Sequence, residues 1–566
     1  MTRRRRTHGQ RSRATNSSVW SRLSGAVRSA GYSSAPYRIL ISGRAPTAVT
    51  AAPADLRPGD ATAGTALLDG QYAFCGQQLD VSNDADSISP APWGHETYGE
   101  TWLASLHGFT WLRDLRAVAT DASRTRARAL VTQWLKRHSA INDLPWRADV
   151  LGRRTHAWLG SAEFLLNGAE AEFRDRFFVG LALQVRHLAR TVRQGPDGAP
   201  RFSAIKGLVA AATSLPDGER RLQTAMRALE AEIGRQVFAD GGHVERSPSA
   251  HLTALADLID IRACLTNGSH SVPDALQQAI DRMAPMLRAY RHGDGALALF
   301  NDSTEETSWL IDLVLAQADA RGRAHANAPH AGFRRIQAGR SLALLDVGAP
   351  SRIGRSTHAG TLSFEFSVGK ERMIVNCGAW RGGDDSWKLA LRATAAHSTL
   401  TINDKNSSKL LPDGTIGAGP DEVDVTREDQ DGAVWIDARH DGFVDTFGLI
   451  HRRRIYIAAD GSDVRGEDLL QRQGQGTTVG REFAVRFHLH PDVQVSMVQD
   501  GSSALIRLPS GAGWQMRAKG GTLDLAESVY AGQPGERRRA SQIIVTGAVE
   551  TGETLVNWAL RKIPKN

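Results

Sequence analysis

The sequence predicts a helical domain, an array or toroid of paired helices, followed by an antiparallel β-sandwich. Two changes of texture carry this reading. From about Pro92 to residue 330, stretches such as "ALVTQWLKRHSAI" and "GERRLQTAMRALEAEIGRQVF" repeat apolar residues at three-and-four spacing, with only short Gly, Pro or Asp breaks between them. From Ala331 onward the apolar runs are short, often alternate with polar residues, and end at Gly, Asp or Asn.

In order along the chain, residues 1–34 form a basic tail read as disordered, rich in Arg, Ser and Thr and opening with Arg3 to Arg6. Residues 35–91 look irregular, with extended pieces such as "YRILISG" and "GQYAFCG". Residues 92–330 make the helical domain, beginning with "ETWLASLHGFTWLRDLRAVA" and ending after "PDALQQAIDRMAPMLRAY". No strands interrupt this series, so its helices pack on one another. Residues 331–566 make the sandwich, through "SLALLDVG", "LSFEFSVG", "RMIVNCG", "HRRRIYIAA" and "ETLVNWALRKI".

Composition excludes several classes. The chain has 566 residues, 41% hydrophobic and 23% charged, which is ordinary for a globular protein. No apolar run reaches the roughly 18 residues of a membrane span. The three cysteines, Cys75, Cys264 and Cys377, lack the spacing of a disulfide framework or a thiolate zinc site. The net charge of +8 leans on the N-terminal tail, and no basic stripe interleaved with aromatics argues for nucleic acid. The start of the chain lacks the apolar core of a secretory signal, which leaves three alternatives: a cytoplasmic protein, a misassigned start codon, or export by another route.

Candidate chemistry gathers first in "FADGGHVERSPSAHLTALADLIDIR", Phe238 to Arg262. Turn chemistry accounts for Asp240, Gly241 and Gly242, and helix capping for Ser247 and Pro248. It leaves His243, Arg246 and His251 unexplained, and these are the candidate catalytic residues. Arg246 is the expected carboxylate contact, because a guanidinium offers two parallel donors. Glu245 lies among them. Tryptophans crowd the first helices, at 93, 102, 111, 146 and 158, beside arginines. They are either core or the wall of a saccharide cleft; the second reading makes Trp146, Arg154, Trp158 and Glu245 substrate-binding. In the β-half, His358, Asn376 and His397 sit at the ends of successive strands. They are either satisfied polar groups or a zinc-type metal site. His440, His451, His488 and His490 are strand histidines that a sandwich buries as readily as it lends them to a metal.

The stretches "LHGFTWLRDL", "LPWRADVLGRRTHAWL", "FADGGHVERSPSAHL", "LALFNDS", "HAGTLSFEFSVGKERMIVNCG", "RATAAHSTLTIND" and "HDGF…HRRRIYI" together resemble the heparinase II/III family of polysaccharide lyases, from about residue 90 to 490. The resemblance implies an incomplete (α/α) toroid followed by an antiparallel β-sandwich. It implies cleavage of a uronic-acid polysaccharide by β-elimination, a periplasmic or envelope setting, and zinc on His358, Asn376 and His397. The chain departs from the pattern at three places. Ala250 stands where the family has its catalytic Tyr, and Ser356 where it has the first His of a His-x-His pair. "RFSAIKGLVAAAT" offers no Asn or His for the carboxylate. Three functions follow as alternatives. The chain is a lyase with altered roles for His243, Arg246 and His251, a glycan-binding or envelope protein that lost the reaction, or a hydrolase in which Glu245 needs a second carboxylate.

Overall fold

The computed structural model describes residues 31–32, 34–82, 91–95, 97–141, 144–355, 357–473, 480–498 and 501–564. Most of the basic tail and Ser356 lie outside them. Among the described residues no helix is long and apolar enough to cross a membrane.

The helical half is a curved array that runs from Glu100–Gly108 to Ser308–Ala318. Its centre is Pro200–Ser214, buried along nearly its whole length and packed on Ala148–Gly160, Glu219–Gln236 and Pro248–Asn267. Two stretches read as single helices are each broken. Phe109 takes a left-handed conformation after Glu100–Gly108, and Ala148–Gly160 is separated from Ala162–Leu166 at Ser161. Strands begin with Asn327–Ala328, so the two textures meet just before residue 331. Phe333, Leu342 and Leu344 of the sandwich join the helical core, which makes the junction a packed apolar contact.

Residues 35–82 of the segment read as irregular are more ordered than their sequence suggests. "YRILI" is helical, in Ala35–Ile41: Ser34 caps it by accepting from the Tyr37 N–H, and Pro36 fits the first turn. Gln71–Phe74 and Gln77–Asp80 do form the expected extended pair, an antiparallel hairpin. Its tip, Gly76 at φ +74°, lies against Gly535 at φ +76°. A Cβ on Gly76 would come within 1.9 Å of the Gly535 Cα, so only glycine fits at this crossing. Farther in, Arg57 pairs with Asp260, whose carboxylate also takes Lys206 at 3.1 Å. This buried pair ties the N-terminal segment to the centre of the array.

The sandwich has two antiparallel sheets. One runs, in spatial order, Gln494–Val498, Ser503–Arg507, Gly513–Lys519, Thr554–Lys562, Asp463–Arg472, Leu449–Ile457, Ala433–His440 and Val423–Gln430. The other has nine strands and contains Phe364–Val368, Glu371–Val375 and Glu482–Leu489 near its centre. Strand alternation explains "HRRRIYI". His451, Arg453, Ile455 and Ile457 point inward, while Arg452, Arg454 and Tyr456 point out. The inward cation is paired: Asp468 accepts from Arg453 at 2.7 and 3.0 Å, from His451 at 2.8 Å and from the Trp558 indole at 3.0 Å. The strand Val423–Gln430, the strand Thr522–Tyr530 and the helix Asp385–Leu391 are additions to the sequence reading.

Candidate functional site

The Ser-Pro corner folds as capping predicts. Ser247 accepts from the Ala250 N–H at 3.3 Å, Pro248 opens the helix Pro248–Asn267, and the Asp240 carboxylate holds the Gly242, His330 and Ala331 N–H groups. Arg246, just before the cap, has φ 55°. That left-handed turn swings its side chain away from the N-terminal entrance of the helix Pro248–Asn267, here called the mouth, and into the sandwich.

There the guanidinium is spent. Nε donates to the Ala331 carbonyl at 2.7 Å, one terminal nitrogen to Gly348 and Ala349 at 3.2 and 2.8 Å, and the other to Gly332 at 3.2 Å and to the Asp346 carboxylate. Five donors meet five acceptors, and Phe333 lies beneath the plane at 5.0 Å. A Cβ on Gly348 would lie 2.5 Å from the guanidinium, so glycine is what lets it in. Arg246 is 5% exposed. The expected carboxylate fork is therefore corrected to a clamp between helical array and sandwich.

The two histidines also face inward. His243 is fully buried, its Nε2 2.9 Å from the Gln236 side-chain oxygen, and burial lowers its pKa to about 3. His251 is fully buried with Nε2 donating to the Met283 carbonyl at 2.9 Å, and burial lowers its pKa to about 4. A general base needs a path to its proton, and neither ring has one. Both stand corrected from cleft residues to core residues. Glu245 differs from them. Its carboxylate accepts from the Ala199 N–H at 2.6 Å, and burial raises its pKa to about 7, with Asp302 and Asp197 adding to the rise. A carboxyl raised in the folded state is stabilised as the acid, so its contribution is full below pH 4.5 and is lost as pH rises through about 7. Glu245→Gln should thus be more stable than wild type at pH 8, by about 1–2 kcal/mol, with most of that difference gone at pH 5. Thermal unfolding at the two pH values checks this.

The polar groups that do meet at the mouth escaped the sequence reading. Ser249 Oγ donates to Glu306 at 2.7 Å, Thr304 Oγ1 donates to the same carboxylate at 3.0 Å, and Arg381 reaches it at 3.7 Å while donating to the Asp302 carbonyl. Asn301 and Asp302 turn the chain here with φ 47° and 59°. The pair of turn residues in "LALFNDS" was the available signal. Ala250 is partly buried beside this group and brings no phenol to it.

His358 and His397 do come together, and Asn376 lies behind them. The Asp302 N–H donates to His358 Nε2 at 3.0 Å, which leaves the proton on Nδ1; that nitrogen donates to His397 Nε2 at 3.1 Å, and His397 Nδ1 donates to the Ala393 carbonyl at 2.8 Å. Every ring nitrogen has a role in this one-way chain. Asn376 accepts from the Ser398 N–H at 3.0 Å. Among the described residues no three His, Cys, Asp or Glu side chains cluster as metal ligands. As arranged, the three residues do not fit a zinc ion: the lone pair of His358 is taken by a backbone donor, and a carboxamide brings no negative charge.

Trp146, Arg154 and Trp158 are 3%, 0% and 0% exposed. Arg154 lies 3.9 Å above the Trp134 ring, with Nε on Gln184 at 2.6 Å and a terminal nitrogen on the His107 carbonyl at 2.8 Å. The helices curve around these rings, so the expected saccharide wall is corrected to the core of the array. Trp93, Trp102 and Trp111 are buried with them.

Comparison with known proteins agrees with the architecture. Residues 62–319 match the Heparinase II/III N-terminus and residues 320–559 match Heparinase II/III-like, C-terminal. FtsZ-localized protein C from Caulobacter vibrioides is 32% identical over 556 residues, covering 95% of this chain and 94% of that protein. The crystal structure of Heparinase III superposes with a TM-score of 0.72 at 14% identity, over 90% of this chain and 86% of the other. Heparan sulfate lyase HepC from Pedobacter heparinus gives 0.60 at 16% identity, over 94% and 87%. At such identities these structures establish the fold.

Proposed function

Because the chain belongs to the heparinase II/III family, we propose that it keeps the lyase scaffold for binding and has given up β-elimination. One observation carries the reading: the imidazoles and the guanidinium of the Ser-Pro corner are all turned into the protein, with alanine where a phenol would protonate the leaving oxygen. Elimination needs a base on the C5 proton, a donor on the carboxylate and an acid on the leaving group. With their side chains turned inward, His243, Arg246 and His251 supply none of the three roles. The bound partner in this reading is an acidic polysaccharide, which the fold supports, and the near-full-length relative named for FtsZ localisation supports a place alongside FtsZ.

One observation favours the lyase alternative. Glu245, near neutrality in pKa, lies close to Asp302 and has the poise of a proton carrier. The same assay decides between the two. Uronate polymers incubated with the protein are expected to yield no unsaturated product by ultraviolet absorbance, in wild type and Glu245→Gln alike. Product from wild type and its loss in Glu245→Gln would establish elimination through Glu245 and sink the binding reading. A fluorescent fusion is expected to gather with FtsZ, and a uniform distribution would remove that part of the proposal.

A further inference from the structure

The outward face of the eight-stranded sheet carries a depression that the mouth does not explain. Two neighbouring cross-strand rows build it. In the first, Trp435, Tyr456, Arg465, Ala559 and Arg517 stand side by side on five strands. In the second, Arg454, Glu467, Asn557 and Lys519 do the same. In these rows the strand Thr554–Lys562 presents the short side chains of Ala559 and Asn557, with the inward-facing Trp558 between them, while its neighbours contribute long side chains. Short residues flanked by tall ones leave a basin of about 400 Å³, within the range of small-ligand sites.

Its chemistry is lopsided. Arg454, Arg465, Arg517 and Lys519 surround the floor against one carboxylate, Glu467. Glu467 takes Arg454 at 3.1 Å, and Arg465 is held by Asp463 at 2.7 Å, so these two guanidiniums are braced in place. Arg517 and Lys519 are exposed on the other side of the floor, and Lys519 forms no ion pair among the described residues. One wall is aromatic. Trp435 and Tyr456 pack at 4.6 Å with a 47° tilt, and Arg454 and Arg465 sit 5.2 and 5.6 Å from their respective rings. A ligand that suits both sides has a ring with C–H faces for the aromatic wall and a carboxylate for the cations.

We propose that this basin binds a carboxylate-bearing sugar of an acidic glycan, at a site separate from the Ser-Pro mouth. Ala559 and Asn557 give the ring its floor, Trp435 its side wall, and Arg517 and Lys519 its anion contacts. The site stands whether or not the mouth cleaves, because it shares no residue with it.

Isothermal titration of the full chain tests this with trigalacturonate as probe, maltotriose as the uncharged sugar, and hexaglutamate as a carboxylate polymer without sugar rings. Trigalacturonate is expected to bind, with maltotriose and hexaglutamate weaker by about ten-fold or more. Lys519→Glu should weaken trigalacturonate by about ten-fold, and Ala559→Leu, which fills the floor, should do the same. Lys519 is exposed, so its reversal reads the site even if the leucine disturbs folding. Absence of wild-type binding at millimolar trigalacturonate overturns the proposal. Binding unchanged by Lys519→Glu would place the sugar elsewhere, and equal affinity for hexaglutamate would make the basin a peptide or general polyanion site.

Discussion

Arg246→Ala is expected to destabilise the protein by about 3–5 kcal/mol, the cost of removing one partner from a buried ion pair. Asp346 is 3% exposed and burial raises its pKa. Without the guanidinium beside it, it must stay charged without its main counter-charge or take up a proton. The Ala331, Gly348 and Ala349 carbonyls lose the guanidinium at the same time, while Gly332 keeps the Val347 N–H at 2.8 Å. Lysine should not rescue the variant, because an ammonium has three donors from one point and cannot fork to five acceptors spread over residues 331–349 of the sandwich. Since the clamp joins array to sandwich, the loss should also appear as proteolytic cleavage between Ala318 and Asn327, where the two halves are joined. Urea unfolding of Arg246→Ala, Asp346→Asn and the double variant measures the coupling. An Arg246→Ala protein with wild-type stability and wild-type protease resistance would show that the clamp holds nothing.

Acid should unfold this protein well before its carboxylates titrate. Burial lowers the pKa of His107, His243 and His488 to about 3, and of His138, His156, His187, His251 and His397 to about 4, from an ordinary 6.5. Between those values the unfolded chain binds protons that the folded chain refuses. Stability is thus complete above about pH 6.5 and is lost as pH falls toward 4. One histidine held at about 4 accounts for about 3 kcal/mol when fully titrated. A few such groups equal the whole stability of an ordinary domain. Glu245 runs the other way and softens the decline only slightly. Thermal unfolding from pH 8 to pH 4 should show Tm falling steeply below pH 6.5, and His243→Gln should flatten the curve. A Tm that stays level from pH 7 to pH 5 would contradict the burial of these rings as neutral groups.

Local pattern made the architecture legible. The three-and-four spacing of Leu252, Leu255, Leu258 and Ile259 places one face of Pro248–Asn267 in the core, and the alternation around Ile455 places Arg453 inside the sandwich. Capping at Ser247 and Pro248 was readable for the same reason, since it involves neighbours in the chain. The direction of a side chain was not. Arg246 lies one residue before a recognisable cap, yet its destination is set by φ 55° and by two glycines about a hundred positions later. The tryptophans stood between core and cleft wall, because clustering in sequence does not say whether helices pack around rings or expose them; their burial decides for the core. Glu306 and Arg381 come from separate stretches that only the fold joins.

The crossing of Gly76 over Gly535 has a bearing on the order of events during synthesis. The hairpin tip is made long before its partner, so on the ribosome this one contact waits until both halves have largely emerged. The helical array can assemble around its own core before then, and the sandwich around its own. The hairpin itself packs on the array through Tyr72 and Leu79, so the late step is the arrival of the Gly535 loop at its tip, a clasp that registers that both halves have folded and lie in the right relation.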